Sequence, residues 1–239
     1  IAKALADAGA ELAFTYQGEA FEKRLKPLAE SVGSNIVMQC DVEEDGSLQT
    51  VFDRLAKEWG SIDFIVHSLA YSDKEELNGR YVDTTADNFA KTMSISCYSF
   101  TAVAQAAYPL MKENGGSMIT LTYYGAERVL PNYNVMGVAK AALEASVRYL
   151  AADLGPDGIR VNSVSAGPMR TLAGSAIGGA RKIYNINEAN APLRQSVSLE
   201  QLGGTALYLL SDLGSGVTGE THHVDSGYNI VGMPYLTGE

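Results

Sequence analysis

The chain has 239 residues, of which 46% are hydrophobic and 19% charged, and it carries a formal net charge of −10 at pH 7. The length suits one large α/β domain, the composition argues against disorder, and the negative charge argues against binding nucleic acid through its phosphates. Cys40 and Cys97 are too few for a disulfide framework, and no apolar run reaches the roughly 18 residues of a membrane span, so we expect a cytoplasmic protein outside the membrane.

Short apolar runs alternate with helical patterns along the chain. Strands are predicted at about 11–16, 35–40, 62–67, 117–122, 158–165 and 221–225. Helices are predicted at about 1–8, 19–31, 45–59, 86–111 and 198–210, and one more begins near Tyr133. Such alternation is typical of a parallel sheet covered on both faces. The sequence therefore predicts one doubly wound, Rossmann-like domain over residues 1–239, with a mobile insertion at Leu172 to Arg194, which is rich in Gly, Ala and Asn.

Polar residues follow several of the predicted strands. They are Tyr16-Gln17, Asp41-Val42, Ser68 to Ala70, Tyr123, and the turn Ala166 to Thr171. In doubly wound sheets, ligands bind beyond the carboxyl ends of the strands. Five such groups together favour a dinucleotide site over a structural scaffold.

Tyr133 and Lys140 are seven residues apart in one predicted helix. Two helical turns place them on the same face, about 10 Å apart along the axis. A phenol that can give a proton and a fixed cation beside a strand end can stabilise an oxyanion. A packed tyrosine and a solvated lysine are the structural alternative.

The spacing of this pair and the motifs around it carry a family resemblance. Met136 stands four residues before Lys140, so the tyrosine lies in Tyr133-x6-Lys140, and Tyr123 precedes it by ten residues. With GAER at 125–128, PNYNVMG at 131–137 and SAGPMRT at 165–171, the chain resembles the short-chain dehydrogenase/reductase family. Within that family it is most similar to the bacterial NADH-dependent enoyl-acyl-carrier-protein reductases. Family members open with a strand and a glycine-rich turn that are absent from this numbering.

The resemblance implies NADH as cofactor and a set of residues that would hold it. These are Gln17, Asp41, Val42, Ser68, Leu69, Ala70, Lys140, Met169 and Thr171. Gln17 is neutral and stands where an acidic residue usually binds the adenosine ribose, which favours NADH over NADPH, although Lys23 and Arg24 lie close by. Asp41 would flank adenine, or it could equally be the N-cap of the next helix.

The resemblance also assigns the catalytic and substrate-binding residues. Tyr133 would donate a hydrogen bond to the thioester carbonyl oxygen, Lys140 would bind the nicotinamide ribose, and Tyr123 would be a second donor or a wall of the acyl pocket. Tyr71, Met136 and Ile177 could line that pocket together with Tyr123, or be core residues. His67 is interpreted as a core histidine.

The activity implied is reduction of trans-2-enoyl-acyl-carrier-protein thioesters with NADH, the last step of each fatty-acid elongation cycle. A 3-oxoacyl reductase of the same family is the alternative enzyme, but Met136 and the tyrosine at 123, where that enzyme has serine, argue against it. A dinucleotide-binding subunit without turnover is the alternative from another class.

Partners and assembly are implied by the same resemblance. Residues 171–194 would form a mobile substrate-binding loop, in which Arg181 and Lys182 could attract the acidic carrier protein. The apolar faces of helices 86–111 and 141–154 suit a homotetramer. His222-His223 lacks the company of carboxylates or cysteines that would indicate a metal site.

Overall fold

The computed structural model of the chain describes residues 1–169 and 180–233, with the backbone alone for 180–182. Its described residues contain six strands, β1 to β6, at Ala13–Tyr16, Ile36–Gln39, Phe64–His67, Gly116–Thr122, Ile159–Ala166 and Thr221–Val224. Eight α-helices, α1 to α8, occupy Ala2–Asp7, Glu19–Ser31, Ser47–Glu58, Ala86–Met93, Ser99–Met111, Asn134–Leu154, Ala180–Asn190 and Leu199–Leu210 in that described part. The alternation of strands and helices confirms the predicted α/β class.

All strand pairs in the described residues are parallel. β1 pairs with β2, while β3, β4, β5 and β6 pair in that order. The longest ladder joins β4 to β5, from Gly116 opposite Ile159 to Thr122 opposite Ser165. Since the strands are parallel, their carboxyl ends meet at one edge of the sheet, which is where a doubly wound fold binds ligands.

The hydrophobic core lies on both faces of the sheet because successive side chains of a strand point to opposite sides. On β4, Met118 packs into the cluster formed with helices α3, α5 and α6, whereas Ile119 packs into the cluster formed with α1 and α8. Both side chains are fully buried. Burial of a side chain of this size stabilises the fold by about 1.5–3 kcal/mol, so a strand with a covered face on each side is strongly held.

Two predicted elements differ from the observed ones. The helix predicted at 86–111 is interrupted by a π-helical segment at Ser94–Tyr98, which separates α4 from α5. Within the segment predicted as an insertion, Ala180–Asn190 forms α7, where Asn187 and Asn190 are buried. Composition suggested an irregular segment because Gly, Ala and Asn predominate, but tertiary burial can override local preference.

The start of α8 is fixed by its own sequence. The Ser198 side chain accepts from the Gln201 backbone, and the Gln201 side chain accepts from the Ser198 backbone, at 3.2 and 2.9 Å. This capping box satisfies two amides that the first helical turn leaves unpaired. None of the helices in residues 1–169 and 180–233 is long and apolar enough to cross a membrane.

Candidate active site

Predicted site residues follow the carboxyl ends of the strands. Gln17 follows β1, Asp41 follows β2, and Ser68 follows β3. Tyr123 follows β4 and Met169 lies just beyond β5. Gln17 and Asp41 therefore lie at the carboxyl edge of the β1–β2 pair, and the other three at that of the sheet formed by β3 to β6.

Gln17 and Asp41 are in direct contact. Gln17 Nε2 donates to Asp41 Oδ2 at 3.0 Å, and the Glu43 amide donates to Asp41 Oδ1 at 2.9 Å. Helix α3 begins at Ser47 with Gly46 as its N-cap, so the alternative that Asp41 caps this helix is wrong. The Asp41 carboxylate instead closes a tight turn after β2 beside the half-buried Val42.

Tyr133 lies at the N-cap of α6, immediately before the helix begins. It is flanked by Asn132 and Asn134, whose φ angles are +60° and +36°. Positive φ is uncommon outside glycine, and asparagine tolerates it better than most residues. The sequence Asn-Tyr-Asn thus builds a turn that a β-branched neighbour would disfavour, and the turn presents the tyrosine at the sheet edge.

Glycines leave room for the Tyr133 ring. A Cβ atom on Gly125 would overlap the Cδ1 atom of that ring, and one on Gly137 would lie 2.8 Å from the Gly125 carbonyl oxygen. These close approaches explain why the chain carries glycine at both positions. Tyr133 itself is only 8% exposed, and its ring meets that of Tyr123 edge to face, with centroids 5.3 Å apart.

Both phenols stay protonated at neutral pH. Burial raises the pKa of Tyr133 well above its ordinary value, and the neighbouring Tyr123 and Glu144 side chains add to the shift. Burial also raises the pKa of Tyr123 to about 12, with smaller contributions from Tyr228, Tyr184 and Asp225. A phenol with a raised pKa is a hydrogen-bond donor rather than an anion, which suits the stabilisation of a negative oxygen.

Lys140 is the cation of the site. Its side chain is buried in α6, and Nζ donates to the Leu121 carbonyl at 2.8 Å. Burial lowers the pKa of Lys140 to about 8, while Cys97 and Glu144 act in the opposite direction. The solvated-lysine alternative is therefore wrong, because the ammonium points into the protein beside the end of β4.

His67 belongs to the core, as the sequence indicated. It is 3% exposed, and its Nδ1 and Nε2 atoms each lie 2.8 Å from a hydroxyl oxygen, of Thr120 and Ser99 respectively. The Ser99 hydroxyl proton is directed at the Ile95 carbonyl, so His67 Nε2 must donate to Ser99 and Nδ1 must accept from Thr120. Burial lowers the pKa of His67 to about 3, with a further effect of the Lys140 charge.

The segment that follows β3 is exposed. Ser68, Leu69 and Ala70 are exposed, and the Tyr71 backbone exchanges two hydrogen bonds of 2.9 Å with the Ser96 hydroxyl of the π-helical segment. The π-helical segment was not predicted, yet it anchors this turn. Such irregular helical turns occur often at functional sites.

The structure describes only some of the residues predicted to bind the substrate. Tyr71 is 46% exposed, whereas Met136 is 7% exposed within α6. Tyr184 of α7, which sequence reasoning missed, donates to the Met169 carbonyl at 2.8 Å and contributes to the electrostatics of Tyr123. No sequence signal marked it, since its segment was interpreted as an insertion. Thr171 and Ile177 lie outside the described residues, as do the side chains of Arg181 and Lys182.

A second polar cluster joins β6 to the turn after β4. His223 Nε2 is 2.6 Å from Glu127 Oε1, and the neighbouring His222 ring packs against Tyr208. Among the described residues, no group of three or more His, Cys, Asp or Glu is arranged to hold a metal ion. The arrangement as a whole offers a phenol donor, a buried ammonium and an open strand-end turn, which can bind a dinucleotide and stabilise a developing oxyanion.

Comparisons with known proteins agree with this geometry. The family model described as "Enoyl-(Acyl carrier protein) reductase" matches residues 1–229. The chain is 64% identical over 233 residues to enoyl-[acyl-carrier-protein] reductase [NADH] 1 of Rhizobium meliloti, covering 98% of this chain and 85% of that protein.

Solved structures of relatives have the same fold. A crystal structure of the Anaplasma phagocytophilum enoyl-acyl-carrier-protein reductase in complex with NAD is 59% identical with a TM-score of 0.94, covering 99% of this chain and 90% of that one. The Bacillus cereus enoyl-acyl-carrier-protein reductase with NADP⁺ and indole naphthyridinone is 48% identical with a TM-score of 0.94, covering 98% and 91%. With a family model that spans nearly the whole chain and relatives of this identity, the chain belongs to the enoyl-acyl-carrier-protein reductase family.

Proposed function

We propose that this chain reduces the carbon–carbon double bond of trans-2-enoyl-acyl-carrier-protein thioesters with NADH, the last step of the fatty-acid elongation cycle. The observation that carries the proposal is that α6 holds the buried Tyr133 phenol at its N-cap and the buried Lys140 ammonium two turns later, beside the carboxyl end of β4. Its support is the family membership and the names of the relatives, which include both NADH and the acyl-carrier protein.

The residues at the sheet edge fit a dinucleotide. Gln17 and Asp41 would hold the adenosine end, where their mutual hydrogen bond fixes an amide and a carboxylate in one place. A nearby carboxylate disfavours a 2′-phosphate, which supports NADH over NADPH. The remaining proposed cofactor residues are Val42, Ser68, Leu69, Ala70, Lys140, Met169 and Thr171.

NADH supplies the hydride that adds to the β-carbon of the enoyl thioester. Negative charge then develops on the thioester carbonyl oxygen, and the Tyr133 hydroxyl donates a hydrogen bond to this oxygen. The raised pKa of Tyr133 keeps the proton on the phenol until that charge appears. Lys140 holds ribose hydroxyls and adds positive potential, and a proton taken up at the α-carbon completes the saturated product.

Tyr123 and the apolar residues nearby would receive the acyl chain. The edge-to-face contact of Tyr123 with Tyr133 supports a role for Tyr123 as a second donor or as a pocket wall. Tyr71, Met136 and Ile177 complete the proposed acyl pocket, and residues 171–194 form the proposed substrate-binding loop. Arg181 and Lys182 on that loop would attract the acidic carrier protein.

A 3-oxoacyl reductase remains the competing activity. Such an enzyme needs a tyrosine four residues before the lysine, and Met136 at that position is a buried thioether without a proton to give. Tyr123 occupies the place where that activity uses a serine hydroxyl. Met136 and Tyr123 at these positions therefore favour reduction of the carbon–carbon double bond over reduction of a 3-oxo group.

The proposal is tested by the fall in NADH absorbance with a trans-2-enoyl thioester and, in parallel, with a 3-oxoacyl thioester. We expect turnover of the enoyl substrate alone, and faster turnover with NADH than with NADPH. The NADPH comparison is needed because the Bacillus cereus relative was crystallised with NADP⁺.

Tyr133→Phe in the same assay isolates the phenol. Loss of one preorganised donor to an oxyanion lowers kcat by about 10²–10³. Turnover of only the 3-oxoacyl thioester would contradict the proposed reaction, and NADH binding without turnover of either substrate would favour the non-catalytic subunit.

A homotetramer in the cytoplasm is part of the same proposal. Helices α4 to α6 and the π-helical segment between α4 and α5 carry large side chains that are partly or mostly exposed, Phe89, Tyr98, Val138 and Tyr149. Contact with further copies of the chain would cover them. Light scattering should give four times the 25.5 kDa of the chain, and Tyr149→Glu should lower that mass. The unpaired thiols of Cys40 and Cys97 suit a reducing compartment, which cell fractionation would check.

A further inference from the structure

Glu144 lies one turn beyond Lys140 in α6, on the same face of the helix. Its side chain is buried, with 8% of the residue exposed, although a carboxylate is among the side chains least often found there. A buried carboxylate is costly unless it is hydrogen-bonded or interacts with a cation. Its presence beside the catalytic pair therefore requires an explanation that the proposed reaction does not supply.

The contacts of Glu144 are directed at the end of β4. The Thr122 hydroxyl donates to Glu144 Oε1 at 2.7 Å, and the preceding residue, Leu121, accepts from Lys140 Nζ at 2.8 Å. Two side chains of α6, one turn apart and of opposite charge, are thus attached to consecutive residues of one strand. Thr122 is itself 4% exposed, so this arrangement is shielded from solvent.

Charged groups surround the two side chains from several elements. Lys140 is influenced by Cys97 of the π-helical segment and exerts its charge on His67 of β3. Burial raises the pKa of Glu144 above its ordinary value, and the charge of Glu127 after β4 acts in the same direction. The hydrogen bond from Thr122, His223 of β6 and Arg148 of α6 oppose that shift and favour the ionised carboxylate. Glu144 is the carboxylate that acts on both members of the catalytic pair, whereas Glu127 is paired with His223.

We propose that Glu144 is a positioning residue whose negative charge, one helical turn from Lys140 and hydrogen-bonded to Thr122, helps to keep Lys140 protonated. The carboxylate favours a proton on Lys140, because a cation is preferred over the neutral amine beside an anion. This inference rests on the proposed function, since it assigns the ammonium the role given above.

The geometry has a consequence for the pH dependence of NADH binding. The pKa of Lys140 is lowered to about 8 by burial, so the ammonium form is lost as pH rises through that value. Removal of the Glu144 charge removes an effect that raises the pKa of Lys140, and the loss of NADH affinity then starts at lower pH. Glu144→Gln keeps the shape and still accepts from Thr122, so it removes the charge alone.

The experiment measures the NADH dissociation constant by NADH fluorescence from pH 6 to pH 9. We expect the midpoint of Glu144→Gln to fall by about one pH unit, as a single charge near a partly buried cation produces. Because the apparent affinity scales with the binding-competent fraction, NADH should bind about fivefold more weakly at pH 8 and within about 1.5-fold of wild type at pH 6.

Two matched variants separate charge from structure. Glu144→Asp retains the charge and should restore most of the wild-type profile. Glu127→Gln removes a nearby carboxylate that is paired with His223 and should leave the midpoint in place. If Glu144→Gln fails to fold, Thr122→Val provides the second route, since loss of this hydrogen bond disfavours the ionised Glu144 and should move the midpoint the same way by less.

Coincident pH profiles of NADH binding for wild type and Glu144→Gln would overturn the inference. An equal weakening of NADH binding at every pH would also overturn it, because this outcome indicates a structural role. A wild-type affinity for NADH that does not change near pH 8 would also overturn the inference, because NADH binding would then not depend on the protonation of Lys140. Enoyl turnover is measured on the same preparations. A chain that reduces only a 3-oxoacyl thioester would refute the proposed reaction. The pH profile of NADH binding would still decide the role of Glu144.

Discussion

The imidazole of His67 is neutral because burial and the nearby Lys140 charge both oppose protonation. In the unfolded chain the histidine pKa is about 6.5. The unfolded chain therefore takes up a proton between pH 6.5 and about pH 3 that the folded chain does not bind. The contribution of this residue to stability is complete above pH 6.5 and is lost as the pH falls.

His67→Gln should remove that dependence while its amide can still donate to Ser99. We expect the variant to be less stable than wild type at pH 7.5, since it loses the ring contact with Phe100 at 5.1 Å. The gap in the free energy of unfolding should shrink by up to about 1.4 kcal/mol per pH unit below pH 6.5. Urea denaturation at pH 7.5, 6 and 5 checks this; a constant gap would mean that the folded protein accepts the proton.

At this scale the sequence predicted some side chains better than others. The spacing of Tyr133 and Lys140 predicted that they share one face of a helix, and the resemblance carried by that spacing and the surrounding motifs named the kind of reductase, which the family model confirms. Glu144 was not identified, because its effect depends on burial against Thr122, which follows from packing rather than from spacing. The N-cap alternative for Asp41 also failed for a local reason, since the helix starts only at Ser47.

At the scale of elements, one side chain ties the start of α6 to the loop after β3. Asn134 Nδ2 donates to the carbonyls of Glu76 and Gly79, at 3.2 and 3.4 Å. The Glu76 carboxylate in turn accepts from Thr85, at the N-cap of α4. The turn that presents Tyr133 is therefore held against the loop that continues from Tyr71.

Asn134→Gly and Asn134→Ala separate the two properties of this residue. Both variants lose the amide donor, so both should lose about 1 kcal/mol of stability, as for a typical hydrogen bond, and both should lower kcat/KM for the enoyl thioester because the turn that presents Tyr133 is held less firmly. Only alanine meets a steric penalty at positive φ, which should cost a further 1–2 kcal/mol of stability by order of magnitude. Steady-state kinetics and thermal unfolding measure the two effects, and equal stability of the variants would argue against backbone strain.

Element boundaries were predicted within a few residues where the apolar pattern was strong, as for β4 and α8. The π-helical segment at Ser94–Tyr98 was missed because it continues a helical pattern without a break in hydrophobicity. Helix α7 was missed because glycine, alanine and asparagine in its neighbourhood indicate irregular structure. Both elements form hydrogen bonds with residues distant in the sequence: Ser96 bonds to Tyr71, and Tyr184 bonds to Met169.

At the scale of the whole molecule, the doubly wound class and the edge that carries the site followed from the alternation of strands and helices. Strand order did not, because a parallel crossover can place the next strand on either side. The observed order puts β4 and β5 between neighbours, whereas β1 and β2 pair only with each other among the described strands. The sheet is thus reinforced most strongly beneath Tyr123 and Tyr133.

The difference in burial between these strands has a consequence for local unfolding, because β1 and β2 are less buried than β4 and β5. Local opening follows the number of buried contacts and protected amides, so β1 and β2, where Thr15 and Gln39 are exposed, should exchange their amide hydrogens for deuterium well before β4 and β5. Exchange followed by mass spectrometry should show two classes of strand, and uniform rates across the sheet would contradict this. The end of the site proposed for adenosine would then lie on the strands that open more often, β1 and β2. The proposed hydride transfer would take place beside β4 and β5, which open less often.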